Sequence, residues 1–173
     1  SLPGGPQVQK VAALIAKAAR KGTIIIDLST TTVSSARETT QMLASHEIQF
    51  ADAPVARTRE AAQQGKLSIM VGASEDLYTA IRPVLDYIAS DITLGGDVGA
   101  GQVLKLVNNM LVFANTVALA EMIVLGERAG VKAETLLEAV SKGSGDSFVL
   151  RNHGMKAMAP RLFPEKSFPA EYV

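Results

Sequence analysis

The sequence predicts an α/β sheet domain that is followed by an all-α domain. Up to residue 96, short apolar runs that favour strands alternate with helical patterns, as in a largely parallel sheet. After Gly101 the helical patterns follow one another, and no strand-like run interrupts them. The composition changes at the glycine cluster near Gly95. We therefore expect one domain over residues 1–96 and a second over residues 97–173, bridged by a long helix.

Local chemistry predicts each element of the first domain. Pro6 suits the first turn of a helix, and the β-branched run over residues 23–28 is typical of a strand buried on both faces. Hydroxyls between Ser29 and Thr32 can cap the following helix. We expect residues 55–65 to form a loop with a short helical piece. The elements expected, in order, are a helix over 7–20, strand 23–28, helix 33–45, strand 47–53, strand 67–72, helix 74–88 and strand 91–94.

The second domain is expected to contain helices over residues 101–129, 133–142 and 147–158. The uncharged run over residues 106–120 is shorter than the roughly 20 residues that a bilayer span requires. We therefore expect the long helix to be buried inside the domain or in a subunit interface. The tail over residues 161–173 carries two prolines in six residues and no helical pattern. This predicts a second domain that is cut short or covered by another chain.

Composition excludes several classes of function. Basic and acidic residues both number 17, so the formal net charge is zero, and only 5% of residues are aromatic; neither feature favours nucleic-acid binding. The chain has no cysteine, and His46 and His153 are too far apart to suggest a metal site. No basic segment precedes an apolar run at the N-terminus, so we expect no signal peptide and a cytoplasmic protein.

Lys105 is the most unusual residue of the predicted long helix, because almost no charge surrounds it. Asn109 lies four residues further on, so both side chains project from the same helix face. An unpaired ammonium is costly to bury, which favours a position at a wet edge or in a cleft. The alternative is that Lys105 extends its ammonium into solvent while Asn109 caps a neighbouring backbone group.

Two further polar groups follow predicted strands, at the edge where open α/β sheets bind ligands. Ser29 and Thr30 offer hydroxyls to a ribose or a phosphate, or they simply cap the next helix. Arg57, in the segment P-V-A-R-T, could hold a carboxylate, phosphate or sulfonate through two hydrogen bonds, or it could be a solvated loop arginine. The glycines of G-G-D-V-G-A-G do not form a G-x-G-x-x-G dinucleotide fingerprint.

Taken in order, the motifs of this chain resemble those of the β-hydroxyacid dehydrogenase family, which includes 3-hydroxyisobutyrate dehydrogenase and tartronate semialdehyde reductase. The resemblance covers nearly the whole chain. It implies the C-terminal half of a Rossmann-type domain, followed by an all-α domain built on one long interdomain helix. The matching motifs are L-P at Leu2 and Pro3, D-x-S-T at Asp27, Ser29 and Thr30, D-A-P-V at Asp52 to Val55, and G-x-G-x-x-x-K-x-x-x-N at Gly99, Gly101, Lys105 and Asn109.

The resemblance also implies a chemistry. The enzyme would interconvert a small anionic 3-hydroxy acid and its semialdehyde, and Leu2, Pro3 and Thr30 would contact NAD or NADP. Lys105 would be the general acid/base, with a pKa that burial lowers, and Asn109 would position the substrate. A homodimer or homotetramer would form through the helical domain.

The residues implied for substrate binding depart from the family pattern. The usual S-G-G after D-A-P-V, which binds the substrate acid, is replaced by Ala56, Arg57 and Thr58. This replacement is similar to the sulfolactaldehyde reductase branch, where arginine and threonine bind the anionic head. That branch has a serine where this chain has Val112, and Asn108 is also expected to contact the substrate. The resemblance therefore implies either a carboxylate or a sulfonate semialdehyde.

Parts of the family pattern do not occur in this sequence, namely the βαβ unit with G-x-G-x-x-G and the second lysine. We therefore expect a fragment that binds the cofactor poorly by itself. A 6-phosphogluconate dehydrogenase would have histidines near Gln102 and Asn108, and imine reductases usually lack the lysine, so both fit less well. From a different class, a catalytically inactive dimerisation module of this fold remains the alternative.

Overall fold

The computed structural model of the protein describes residues 1–163, in two compact units. The first unit runs from Ser1 to Val107, and the second begins at Asn108, inside a helix that continues from one unit into the other. The domain boundary expected between residues 96 and 97 stays a prediction.

Helices and strands alternate through the first unit, as the sequence predicts. All of the predicted elements form, and their ends differ from the prediction by a few residues. Together with one unpredicted strand, β3, the elements are, in order, α1 (Gly5–Ala16), β1 (Ile24–Asp27), α2 (Val33–Ala44), β2 (Gln49–Asp52), β3 (Val55–Ala56), α3 (Arg59–Gln63), β4 (Leu67–Gly72), α4 (Glu75–Leu85), β5 (Ala89–Gly96) and α5 (Ala100–Arg128).

Side-chain hydroxyls fix where three of these helices begin. Thr32, Thr58 and Ser74 each accept a hydrogen bond from a backbone N–H in the first turn of α2, α3 and α4, respectively. Pro6 lies in the first turn of α1, where its missing N–H costs nothing. The hydroxyl cap predicted for α2 is thus confirmed, at Thr32.

The five strands form one mixed sheet. β1 pairs in parallel with β2, and β4 pairs in parallel with β5, but β4 runs antiparallel to β2 and β3. The prediction of a largely parallel sheet is therefore confirmed, and the step from β2 to β4 is an antiparallel exception. The cause is the short connection after β3, because α3 has only five residues and cannot support the crossover that a parallel return requires.

Two strands differ from the prediction in further respects. β3 lies in the segment predicted as a loop, where Val55 and Ala56 pair with Ile69 and Ser68 of β4. Two residues are too few to show an alternating pattern, so no sequence signal marks this strand. β1 is not buried on both faces: it lies at the end of the described strand order, and its Ile24 is 37% exposed.

Side chains alternate across β2 and build a core on each face of the sheet. Phe50 packs with apolar side chains of α1 and α2 on one face. Ala51 packs with Ile69 of β4 and with Leu85 of α4 on the other. The sheet is thereby held from both sides, which fixes the strand ends that carry the candidate site.

The second unit has a smaller core. It contains the rest of α5, α6 (Ala133–Val140) and a π-helical segment (Leu150–Met158). Its buried centre includes Ile123 of α5 and Leu137 of α6. Gly154 of the π-helical segment contacts this centre closely, because a Cβ built there would lie 2.8 Å from a methyl carbon of Leu119.

The last predicted helix differs from the structure in type. Residues 147–158 are predicted to be α-helical, whereas Leu150–Met158 is a π-helix. The two helices differ by one residue in their hydrogen-bond spacing, which no residue pattern reveals. The prolines of the tail, and the inference drawn from them, lie outside the described residues.

Helix α5 exposes most of its apolar side chains within the part of the chain that the structure describes. Only 6% of the most apolar 18-residue stretch of this helix is buried. The prediction that the helix is buried inside the domain is therefore wrong for this chain. With 29 residues and a mean hydropathy of 1.6 in that stretch, the helix is also long and apolar enough to cross a membrane, which the shorter count over residues 106–120 misses. Protein-covered helices share this composition. Burial in a subunit interface stays a prediction.

Candidate functional site

The candidate site is built around Asp52, the last residue of β2. Its carboxylate is completely buried and accepts two backbone hydrogen bonds at the start of α5. The N–H of Gly99 donates to Oδ1 over 2.7 Å, and the N–H of Gln102 donates to Oδ2 over 2.8 Å. Asp52 therefore caps α5 from the sheet, because it satisfies N–H groups that have no partner within the helix.

Glycines make this close approach possible. Gly99 has a φ of +98°, which a side chain would strain. A Cβ built at Gly101 would lie 2.8 Å from the carbonyl oxygen of Asp52, and one built at Gly72 would collide with the Asp52 carboxylate. The G-x-G spacing thus seats the helix on the sheet, which is a structural reason for glycine at both positions.

Burial and hydrogen bonding act on Asp52 in opposite directions. Burial raises the pKa of its carboxyl above the usual value, and the N–H groups of Gly99 and Gln102 lower it. The nearby Asp27 carboxylate raises it further. The pKa of Asp52 is raised overall because burial is the largest of these effects.

Gln102 connects α5 to the turn that follows β1. Its side chain is completely buried. Oε1 accepts the N–H of Thr31 over 2.8 Å, and Nε2 donates to the carbonyl oxygen of Ser29 over 2.9 Å. The amide therefore holds the backbone on both sides of Thr30, in what we call the Thr30 turn (residues 29–31).

Ser29 connects the Thr30 turn to the beginning of the chain. Its own N–H donates to Oδ1 of Asp27 over 3.0 Å, and its Oγ accepts the N–H of Leu2 over 2.8 Å. Three residues implied for cofactor contact, Leu2, Pro3 and Thr30, thus belong to one hydrogen-bonded region. Leu2 is half-buried and packs against the core formed by α1, α2 and β2, whereas Thr30 is exposed. The contacts of Leu2, Pro3 and Thr30 with the cofactor stay predictions.

Lys105 lies one turn after Gln102 on α5 and is half-buried. Burial lowers the pKa of its ammonium below the usual value, and burial is the only cause of the shift. A lysine that extended its ammonium fully into water would keep its ordinary pKa. The half-buried position of Lys105 agrees with a partly desolvated amine, and its role in proton transfer stays a prediction.

The next predicted residues follow on the same helix. Asn108 and Asn109 are both half-buried, and Nδ2 of Asn108 donates to Oδ1 of Asn109 over 3.3 Å. The Oδ1 atom of Asn109 thus accepts this hydrogen bond from a neighbouring side chain rather than from a backbone N–H. Val112 is half-buried, and its carbonyl oxygen accepts the Thr116 hydroxyl over 2.7 Å. The roles of Asn108, Asn109 and Val112 stay predictions.

Arg57 is bound by groups of the protein itself. One guanidinium nitrogen donates to the carbonyl oxygen of Lys66 over 2.9 Å and to Oγ of Ser90 over 2.8 Å. The other donates to Oδ2 of Asp91 over 2.7 Å. Hydrogen bonds from Ser90 and then from Arg57 lower the pKa of the Asp91 carboxyl. Arg57 is therefore exposed to solvent but paired with Asp91, and it is not a free cation.

The polar groups singled out in the sequence, around Lys105, Thr30 and Arg57, do not all lie together. The Thr30 turn and the helix with Lys105 are joined through Gln102. Arg57 lies elsewhere: along β4, Asp52 pairs with Gly72 whereas Ala56 pairs with Ser68. These partners are four residues apart, which corresponds to about 13 Å of strand. Ala56, Arg57 and Thr58 stay predicted substrate contacts, at a distance from the Asp52 network.

Sequence reasoning missed the structural roles of Gln102 and Asp52. Asp52 belongs to the motif D-A-P-V, and Gln102 follows the second glycine of G-x-G. A polar residue next to a glycine at a helix start is a signal that could have suggested a buried contact. The distance from Gln102 to Ser29 in sequence, 73 residues, hides their hydrogen bond from any local pattern.

Comparisons with known proteins agree with this fold. Residues 1–96 match the family profile described as the NAD binding domain of 6-phosphogluconate dehydrogenase. Residues 99–172 match the profile described as NAD-binding of NADP-dependent 3-hydroxyisobutyrate dehydrogenase. The chain therefore belongs to the β-hydroxyacid dehydrogenase family, whose members use NAD or NADP, and the resemblance to this family is confirmed. The similarity to the sulfolactaldehyde reductase branch stays a prediction.

Three individual relatives show which enzymes this chain is similar to. The 2-(hydroxymethyl)glutarate dehydrogenase of Eubacterium barkeri is 42% identical over 79% of this chain and 45% of its own length. The 2-hydroxy-3-oxopropionate reductase of Escherichia coli is 30% identical over 94% of this chain and 56% of its own. Mycobacterium tuberculosis 3-hydroxyisobutyrate dehydrogenase, solved with L-serine, aligns with a TM-score of 0.82 and 35% identity over 87% of this chain and 52% of its own. The chain thus spans about half the length of these relatives, and the predicted fold class is confirmed.

Proposed function

We propose that this chain is part of an NAD(P)-dependent oxidoreductase that interconverts a small anionic 3-hydroxy acid and its semialdehyde. One observation carries the proposal: the Gln102 amide ties the Thr30 turn to the helix that presents Lys105. The predicted cofactor contact at Thr30 and a partly desolvated amine are thereby held on one framework. Family membership supports the same reaction class.

Lys105 supplies the proton in this proposal. In the reductive direction its ammonium donates a proton to the carbonyl oxygen of the aldehyde, and in the oxidative direction the neutral amine accepts the hydroxyl proton. A bound nicotinamide supplies or accepts the hydride. The lowered pKa of Lys105 supports the role, because an amine that titrates closer to neutral pH both gives and takes a proton more readily. Asn109, four residues further along the helix, would hold the substrate oxygen.

The relatives support a carboxylate as the anionic end of the substrate. The compounds named for the three relatives all contain a carboxylate group and an oxygen atom on the carbon β to it. We therefore propose a carboxylate semialdehyde as the substrate and keep the sulfonate as the second candidate. In this chain three of the five N–H groups of Arg57 bind Lys66, Ser90 and Asp91, so a substrate anion would be bound by the remaining donors beside the Asp91 carboxylate. Asn108 and Val112 would complete the pocket.

The test is a substrate screen on the complete protein that contains this chain, with NADH and NADPH and with matched carboxylate and sulfonate semialdehydes. The variant Lys105→Ala is expected to lower kcat by about 10²–10⁴-fold and to leave cofactor affinity unchanged, because only the proton donor is lost. Lys10→Ala, an exposed lysine of α1, is the matched control and should retain full activity. Undiminished turnover in Lys105→Ala would remove the proposed role.

The second candidate function is a catalytically inactive module that associates through α5. It is favoured by the exposed apolar side chains of that helix in the described part of the chain. Sedimentation of the chain alone should then show a homodimer or homotetramer that binds no NAD or NADP. Cofactor-dependent turnover by the complete protein would exclude it. A cytoplasmic location stays a prediction.

A further inference from the structure

We infer that Gln102 is a positioning residue that holds the Thr30 turn in register with the helix carrying Lys105. The inference rests on the proposed function and names a residue to which neither the motifs nor the comparisons give a role. Gln102 does not have to touch substrate or cofactor, since it acts through the backbone on both sides of Thr30.

The side-chain chemistry of this position is restrictive. The site presents a carbonyl oxygen, from Ser29, and an N–H, from Thr31, to one completely buried side chain. Only a group that donates and accepts at once satisfies both, and the primary amide of glutamine does so. An aliphatic side chain would leave both backbone groups buried without a partner, and a carboxylate would oppose its oxygen to the carbonyl of Ser29.

The backbone of Gln102 is fixed as firmly as its side chain. Its N–H is held by Oδ2 of Asp52 over 2.8 Å, and Gly101 brings the helix within contact of the sheet at the same point. Lys105 follows three residues later, or about 4.5 Å along the helix axis. A displacement of the Thr30 turn relative to α5 is therefore equivalent to a displacement of Thr30 relative to Lys105.

Small displacements of this kind matter for a hydride and proton transfer. A misplacement of about 1 Å can cost about 10²-fold in rate, because the reacting atoms leave their productive alignment. We therefore expect Gln102→Met to lower kcat by about tenfold or more, with a change in KM below about threefold. The deuterium isotope effect on kcat, measured with deuterated cofactor, should rise as hydride transfer becomes limiting.

A readout without turnover separates positioning from catalysis. In the complete protein without substrate, amide hydrogen exchange at Thr31 should accelerate in Gln102→Met, because its acceptor is gone. Exchange at Ile25 and Ile26 of β1 should stay unchanged. Faster exchange throughout β1 would indicate general destabilisation and overturn the inference.

Gln102→Glu keeps the shape and offers a second signature. The ionised side chain would accept from Thr31 and repel the carbonyl of Ser29, whereas the protonated acid can donate to that carbonyl and restore both bonds. The ratio of variant to wild-type kcat should therefore rise as pH falls. The carboxylates of Asp27 and Asp52 lie next to this network, and they would repel an ionised side chain at position 102, which strengthens the same trend with pH.

These measurements distinguish a failure of the proposed function from a failure of the inference about Gln102. A wild-type protein that reduces no semialdehyde with either cofactor refutes the proposed function, and the exchange measurement still decides the role of Gln102 in the Thr30 turn. An active wild type with unchanged kcat, isotope effect and Thr31 exchange in Gln102→Met overturns the inference. If Gln102→Met does not fold, a pH-independent ratio for Gln102→Glu overturns it instead.

Discussion

Removal of the Asp52 carboxylate is the sharpest perturbation of this fold, because one side chain joins the end of β2 to the start of α5. Asp52→Ala deletes both acceptors and leaves the N–H groups of Gly99 and Gln102 without them. Asp52→Asn keeps one acceptor and turns an NH₂ group toward the other N–H. The two variants therefore differ in how many buried donors lose a partner.

The magnitude follows from those two donors. Each buried N–H left unsatisfied costs about 1–3 kcal/mol, so the gross cost of Asp52→Ala is about 2–6 kcal/mol. Burial of the Asp52 carboxylate is itself unfavourable, as the raised pKa of this group indicates. Asp52→Ala removes this unfavourable term, so the net loss of stability is smaller than the gross cost. We expect a net loss of about 2–4 kcal/mol for Asp52→Ala and about half of that for Asp52→Asn.

Urea unfolding followed by far-UV circular dichroism measures these changes, and the chain has no tryptophan that could replace this probe. Asp97→Ala is the matched control, because Asp97 is an exposed aspartate in the same segment. It should change stability by less than about 0.5 kcal/mol. An Asp52→Ala variant as stable as Asp97→Ala would refute the capping role.

The pH dependence of the stability of the wild type and of Asp52→Asn gives an independent check. The raised pKa means that folded Asp52 binds more protons than the unfolded chain between the ordinary value of 3.8 and its folded value. The contribution of this group to stability therefore falls as pH rises through that window. Asp52→Asn should remove this component, and an unchanged pH dependence in the variant would contradict the buried-carboxyl account.

Two further predictions concern Lys105 and Arg57. The lowered pKa of Lys105 means that the folded chain binds fewer protons than the unfolded chain between the folded pKa and 10.5, so stability should rise with pH in that window. NMR titration of the ¹³C-labelled ε-carbon measures the folded pKa, and a midpoint at 10.5 would contradict the burial of this amine. Arg57 has a φ of +85°, so Arg57→Gly and Arg57→Ala lose the same contacts but only glycine relieves the backbone. Arg57→Gly should be more stable than Arg57→Ala by about 1 kcal/mol in urea unfolding, and equal stabilities would exclude the strain.

Much of the first unit is predictable from sequence because its strands are long enough to leave a pattern. The β-branched run that forms β1 and the hydroxyl cap at Thr32 act over a few residues, and local chemistry decides them. The reversal between β2 and β4 is different in kind. It depends on β3, whose two residues carry no periodicity, and on a connection too short for a crossover.

The candidate site divides in the same way. Lys105 and Thr30 are predictable from motifs, because a lone lysine on an apolar helix and a hydroxyl beyond a strand are visible in the sequence. The partner of Arg57 is not, because Asp91 lies 34 residues away. Gln102 and Asp52 acquire their roles only when the strand ends and the helix start meet, which is a tertiary event.

The opposed directions of β2 and β4 have a consequence for how chain length varies among relatives. The two strands overlap only where Asp52 faces Gly72, and the cap of α5 is bound at that point. One residue added between Asp52 and Val55 would shift β3 along β4 and turn its side chains to the opposite face. Insertions and deletions should therefore accumulate around α3, beyond residue 58, while the stretch from Asp52 to Ala56 keeps a constant length.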